Sequence, residues 1–145
     1  MANPLLIPGT LNRVRGQLIV AGNAALNITA SYLGKEGISI SADTELATTI
    51  PLLVSTTNSM EPYQMVTVTA NIVKSMGLCT NYLNQIRNSS VLGTVTVVLD
   101  TGNVPNFTIY NAVIVNWQQL SAAGTQADFP LTIRGYFVVN DALWG

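Results

Sequence analysis

A mainly β fold, an antiparallel β-sandwich or barrel with one flanking α-helix, is what this sequence predicts, and three observations predict it. Extended segments with period-two alternation recur along the chain, one stretch repeats apolar residues at helical spacing, and turn residues separate them. The order is strands, then one helix, then strands, which favours a small β-fold with a helix packed on it. At 145 residues the chain reads as a single domain, 1–145, able to bury about 70% of the surface its unfolded form exposes.

The elements follow in order. Residues 13–20 (RVRGQLIV) are the first extended run: Val14, Leu18 and Val20 share a side, and Gly16 marks a bulge or a close backbone approach. GKEG at 34–37 lacks the spacing and the Lys-Ser/Thr ending of a phosphate-binding loop and reads as a turn into Ile38. Ile38 and Ile40 then alternate with Ser39 and Ser41, and a second extended run over 48–54 is interrupted by Pro51, which cannot donate to a strand ladder. That run, within 34–61, therefore reads as a long projecting hairpin or loop. The cleanest strand is 65–73 (MVTVTANIV), with Val66, Val68, Ala70 and Ile72 on one side and Thr67, Thr69 and Asn71 on the other.

The helix is expected over 75–88. Leu78, Cys79, Tyr82, Leu83 and Ile86 make one stripe of a 3.6-residue period, and Ser75 is placed to cap its start. Three more strands follow at 94–99 (TVTVVL), 107–117 (FTIYNAVIVNW) and 131–139 (LTIRGYFVV), the last apolar on both sides towards its end. Turn residues at 100–103 and 123–125 separate them.

Composition narrows the function. Apolar content is an ordinary 48%, but charged residues make up only 9%, and 16 Thr, 14 Asn and 9 Ser fill the gap. A soluble domain usually carries about 25% charge. With a net charge of −1 there is no basic patch for groove-type nucleic-acid binding, and so few ions give little repulsion between copies. No stretch is long and apolar enough for a membrane helix. The N-terminus lacks the basic start of a secretory signal, so synthesis in a cytosol is expected.

The chemistry-bearing residues are few. There is no histidine, which removes nucleophile-plus-histidine catalysis and the commonest metal ligand. Cys79 lies on the apolar stripe of the helix and reads as a packed thiol; the seven acids select no pair suited to glycoside cleavage. Neither a cofactor nor a metal is expected. The Asn-X-Ser/Thr triplets at Asn27, Asn88 and Asn106 are discounted in a chain this rich in those residues. Trp117 and Trp144 read as core or interface packing before ligand platforms. Arg13 and Arg15 fall on one face of their expected strand and suit pairing with acids on a neighbouring subunit as well as they suit solvent.

Natural proteins guard exposed strand edges with lysine, proline or bulges, because free N–H and C=O rows recruit other chains. The run at 65–73 has no charge on either side, which points to edges occupied by further copies around a ring. Its Thr67, Thr69 and Asn71 face would then line a water-filled channel. A wall without clustered cations offers a passing polyanion nothing to grip.

The segments LNRVRG (11–16), YLGKEGISIS (32–41), ATTIP (47–51), MEPYQMVTVTANIVKSMGL (60–78), LGTVTVV (92–98) and LTIRGYFVVNDALW (131–144) resemble the tail tube proteins of contractile-tailed bacteriophages over nearly the whole chain. The resemblance implies hexameric rings stacked into a tube inside a contractile sheath, with inner sheets joining between subunits into one large barrel. It implies a structural virion protein rather than an enzyme, assembled in the host bacterial cytoplasm. Its partners would be further copies of itself, the sheath, the tape-measure protein, and baseplate and tail-terminator proteins. DNA would pass through without sequence-specific binding, and no membrane is involved. The loop at 42–60 would contact the adjacent ring through Ile50, Pro51, Leu52 and Leu53, and the terminal segments 2–10 and 140–145, with Trp144, would supply further contacts. A type VI secretion or phage-like bacteriocin tube shares this expectation. A monomeric carbohydrate-binding β-sandwich is the alternative of another class, and an enzyme the third.

Overall fold

A computed structural model of the protein describes residues 11–117 and 119–144. The expected contact segment 2–10 and Gly145 lie outside the described residues. In chain order the elements are β1 (Gln17–Val20), β2 (Leu33–Ala42), β3 (Ala47–Pro51), β4 (Thr56–Met60), β5 (Tyr63–Val73), α1 (Leu78–Asn88), β6 (Val91–Val98), β7 (Phe107–Trp117) and β8 (Asp128–Val138), with short 3-10 turns between β1 and β2 and after β8.

Six strands form one antiparallel sheet in the order β1-β6-β7-β8-β5-β2, and it curls into a half-barrel. The fold is mainly β with one helix, as expected, but one curled sheet replaces two facing sheets. Strands β6, β7 and β8 follow one another as a meander, and β5 returns beside β8 in Greek-key fashion. That arrangement obliges the β5–β6 connection to cross between distant strands, and α1 lies in it. Helix and 3-10 turns thus take the place of the second layer.

Alternation decides the two faces. Val66, Val68, Ala70 and Ile72 of β5 are buried, and across the ladder so are Phe129, Leu131 and Ile133 of β8. The stripe of α1 closes over them: Leu78, Cys79 and Tyr82 are buried, and Leu83 and Ile86 pack against the same core. Its start differs from expectation, because residues 74–77 form turns and Gly77, not Ser75, is the N-cap, with no side-chain cap bond. Burial pushes the Cys79 thiol above its usual range.

Tyr82 anchors this layer. Its ring is fully buried and its hydroxyl donates to the Leu26 carbonyl at 2.5 Å, tying α1 to the turn after β1. Desolvation raises its pKa well above the ordinary phenol value. In the unfolded chain the phenol ionises near pH ~10, while in the folded chain it stays neutral. The stabilisation is therefore complete below pH ~10 and declines as pH rises beyond it. Tyr82→Phe is expected to cost about 1–3 kcal/mol at neutral pH by stranding the Leu26 carbonyl, and to flatten the alkaline loss. Denaturant melts between pH 7 and 11 check both effects.

The curl has a local origin in β7. Tyr110 pairs with Tyr136 and Val113 with Arg134, so Asn111 and Ala112 together oppose the single residue Gly135. This is a β-bulge, with Asn111 in the left-handed region at φ 52°. The neighbouring β6–β7 ladder shifts register on both sides of Gly93, whose φ is 82°. Extra residues on one strand bend it and increase its twist.

Two expectations about the first third of the chain are corrected. Residues 13–15 form a turn, not a strand, because the Asn12 side chain accepts the Val14 N–H at 3.0 Å and its carbonyl accepts the Arg15 N–H at 3.1 Å. Val14 is accordingly exposed while Leu18 and Val20 are buried. Residues 34–37 are not a turn but part of β2, whose pairing to β5 slips between Leu33 and Ile38 with Gly37 at φ 66°.

The strand that looked unguarded is interior. β5 is hydrogen-bonded to β2 on one side and to β8 on the other, so neither of its edges is free. The true edges carry protection: β1 is four residues long and bridged by Ile28 on its outer side, and β2 has its irregularity beside Lys35 and Glu36.

Candidate assembly surfaces

Residues 42–60 do project, as a two-stranded hairpin separate from the main sheet. Strands β3 and β4 pair from Ala47↔Met60 to Pro51↔Thr56, and all ten of their residues are exposed. Pro51 occupies the last pair, where a missing N–H costs the ladder little. The turn beyond it is closed by the Leu52 N–H donating to the Ser55 carbonyl at 2.7 Å. Of the tip residues, Ile50 and Leu52 are half exposed, Val54 is 92% exposed, and Leu53 is fully exposed. An isolated two-stranded hairpin is marginal in water, and an apolar tip without contacts gains nothing from the hydrophobic effect.

The hairpin's root, by contrast, is clamped. Asn140 donates through Nδ2 to the carbonyls of Leu46 (3.1 Å) and Glu61 (2.8 Å), and the Glu61 N–H donates to Leu46. The buried Gln64 side chain donates to the Thr44 carbonyl at 2.6 Å, and the Thr44 hydroxyl accepts the Met65 N–H. The clamped root holds a largely exposed tip away from the body.

The sheet face opposite the core divides into two regions. One is rich in hydroxyls: Ser39, Thr69, Thr132 and Asn116 form a row across β2, β5, β8 and β7. Thr67, Thr69 and Asn71 lie here, on the side of β5 away from the core, but the region is not charge-free. Asp43 accepts a hydrogen bond from the Thr67 hydroxyl at 2.5 Å and lies 3.7 Å from the Arg134 Nε, the one ion pair among the described residues. Both side chains are part exposed, so the pair contributes at most about 1 kcal/mol and serves mainly to fix orientation. Asn71 donates to the Gly37 carbonyl at 3.1 Å, holding the irregular part of β2 to β5.

The other region is aromatic. Met65, Tyr136 and Tyr110 are cross-strand neighbours, and the Tyr136 ring lies 5.5 Å from Tyr63 and 5.8 Å from Tyr110. Tyr63, Met65 and Tyr136, with Val113, Val138 and Trp144, line an open groove of about 540 Å³. The 3-10 turn Asp141–Leu143 brings Trp144 to it. The aromatic groove was not foreseen, although apolar residues on both sides of the end of β8 were its signal. Trp117 sits apart, at the end of β7, with its ring 6.2 Å from Phe129.

The remaining expected contact residues do not join these surfaces. Arg13 lines a second cleft, of about 420 Å³, with Gly16, residues 33–38 of β2 and the end of β6. Arg15 packs towards Gly102, and its Nε is buried without a hydrogen-bond partner. Since they lie in a turn, the shared strand face expected for the two arginines does not exist.

Among the described residues no group of three or more His, Cys, Asp or Glu is arranged to hold a metal, and no helix is long and apolar enough to cross a membrane. No protein-family model matches the chain, and no curated protein matches it significantly.

Proposed function

We propose that this chain is the repeating subunit of a hollow, self-assembling tube, the inner tail tube of a contractile-tailed bacteriophage. Hexameric rings stack through the hairpins, the tape-measure protein occupies the bore before infection, and DNA passes through it afterwards. The sheath surrounds the tube, baseplate and terminator proteins close its ends, and the subunit works in the virion. It catalyses nothing.

One observation carries the reading: a hairpin clamped at its root ends in an apolar tip whose Leu53 is fully exposed and whose Ile50 and Leu52 are half exposed. Such a tip requires burial elsewhere. The resemblance of the quoted segments to tail tube proteins supplies the identity of the assembly, and the sparse charge supports a bore that does not retain DNA. Light scattering of the purified protein over rising concentration tests it: the mass should climb to six subunits and then to multiples of six. A constant monomer mass refutes it. Packaged DNA in the native particle separates a phage tail from a secretion or bacteriocin tube.

The hydroxyl face of β5 is the proposed bore lining. Thr69→Lys is expected to leave assembly intact while slowing DNA ejection several-fold, because a ring of cations grips phosphates. Ejection kinetics of virions carrying the variant provide the check, and an unchanged rate removes Thr69 from the bore.

The aromatic groove favours one second reading, a monomeric carbohydrate-binding domain with Trp144 and the tyrosines as sugar platforms. Glycan binding by a protein that stays monomeric would select it over the tube.

A further inference from the structure

We propose that the C-terminal turn is a latch that sets the direction of the hairpin, and that it opens when Trp144 leaves the aromatic groove. The device is intramolecular and stands whether or not the subunit builds a tube.

Asn140 is the catch. Among the described residues, the only hydrogen bonds that reach residues 45–61 from beyond residue 65 are its two, to the carbonyls of Leu46 and Glu61. Those carbonyls lie on the two legs of the hairpin, one before β3 and one after β4, so a single amide nitrogen holds both. The residue type is demanded twice. Asn140 sits in the left-handed region at φ 52° and ψ 56°, which asparagine tolerates better than most side chains, and its Nδ2 carries the two N–H donors that two carbonyls require. Aspartate would suit the same backbone without the donors, and glycine would suit it without a side chain.

Trp144 is the handle. Residues 140–144 form one closed turn, in which the Leu143 N–H donates to the Asn140 carbonyl at 2.9 Å and the Trp144 N–H to the Asp141 carbonyl at 3.0 Å. The Trp144 side chain lines the groove together with Tyr63, which follows Glu61 by two positions on the hairpin's exit leg. The turn therefore touches the groove at one end and the hairpin root at the other, and swinging Trp144 away pulls Asn140 off both carbonyls. Trp144 is 67% exposed, so it leaves the groove with little loss of burial.

Release has a defined consequence. Thr44 stays tied to Gln64 and Met65, and the Val139 N–H to the Pro62 carbonyl, so the pivot falls between residues 44 and 62. The ten residues of β3 and β4 are exposed and pair with each other, which leaves them free to turn as a unit. Five residue pairs at about 3.4 Å per residue put the tip about 17 Å from that pivot, so a small rotation at the root redirects Leu53.

Hydrogen exchange of the full-length free subunit, held dilute, decides it. Asn140→Gly and Asn140→Asp should each speed exchange at the Glu61 amide, which bonds the Leu46 carbonyl at the root, on the order of tenfold, while β5 and β8 keep wild-type rates. Trp144→Ala leaves both Asn140 donors in place and should speed the same amide several-fold, a response that a clamp uncoupled from the groove does not give. Nitroxide labels on Leu53→Cys and Val91→Cys, both exposed positions, in a Cys79→Ala background read the direction itself. Their distance distribution should be narrow with Asn140 present and broad with Asn140→Gly. Glu61 exchange that is unchanged in Asn140→Gly or in Trp144→Ala overturns the latch. So does acceleration spread equally through β5 and β8, which marks a general loss of stability, and so does a distance distribution that stays narrow in Asn140→Gly.

Discussion

Replacing Leu52 and Leu53 together with aspartate should leave a folded subunit that no longer stacks. Folding survives because Leu53 touches nothing in its own chain and Leu52 is half exposed, so little intramolecular burial is lost. Assembly fails for two reasons that add. Burying two leucines is worth about 1.5–3 kcal/mol each, and a carboxylate forced into an apolar contact between copies without a partner costs several kcal/mol more. The lost burial alone weakens each contact by about two to four orders of magnitude. Sedimentation velocity should show free subunits or single rings where the wild type gives long polymers, with an unchanged circular-dichroism melt. Normal polymers from the variant would remove the tip from the interface.

Gly135→Ala should damage the subunit itself. A Cβ at this position would sit 2.9 Å from the Tyr110 carbonyl oxygen and 3.3 Å from the Ala112 Cα, and closer still to the Ile109 side chain. Two of these neighbours are backbone of the β7 bulge, which cannot move aside without changing the curl of the sheet. Overpacking of this kind costs about 1–3 kcal/mol, or a fall in melting temperature on the order of 5–10 °C. Because the bulge lies under the aromatic face, Tyr110 and Val113 should also be displaced, and polymer yield should fall with stability. A melting temperature equal to wild type would show that β7 does not set the curl.

Local structure was largely legible in the sequence. The bounds of β7 and the burial alternation of β5 follow from period two, and Leu78, Cys79 and Tyr82 follow from the helical stripe. The apolar hairpin tip was legible too, because Pro51 and three consecutive aliphatic residues cannot belong to a buried central strand. What periodicity does not contain is which strand lies beside which. The uncharged faces of β5 suggested a free edge, yet β8, joined to it only through α1, β6 and β7, covers one side completely. Arg13 and Arg15 were misread for a smaller reason: the Asn12 side chain bonds locally and turns the chain before the strand begins. The aromatic groove draws on β5, β7, β8 and the turn carrying Trp144, segments spread over 82 positions from Tyr63 to Trp144. No local pattern assembles it.

Negative-stain electron microscopy of the purified protein at high concentration tests the central claim most directly. Six-membered rings stacked into hollow filaments are expected, with density bridging successive rings at the position of the hairpins. A uniform field of solitary 15.4 kDa particles, under conditions where the hairpin tip is intact, would contradict it.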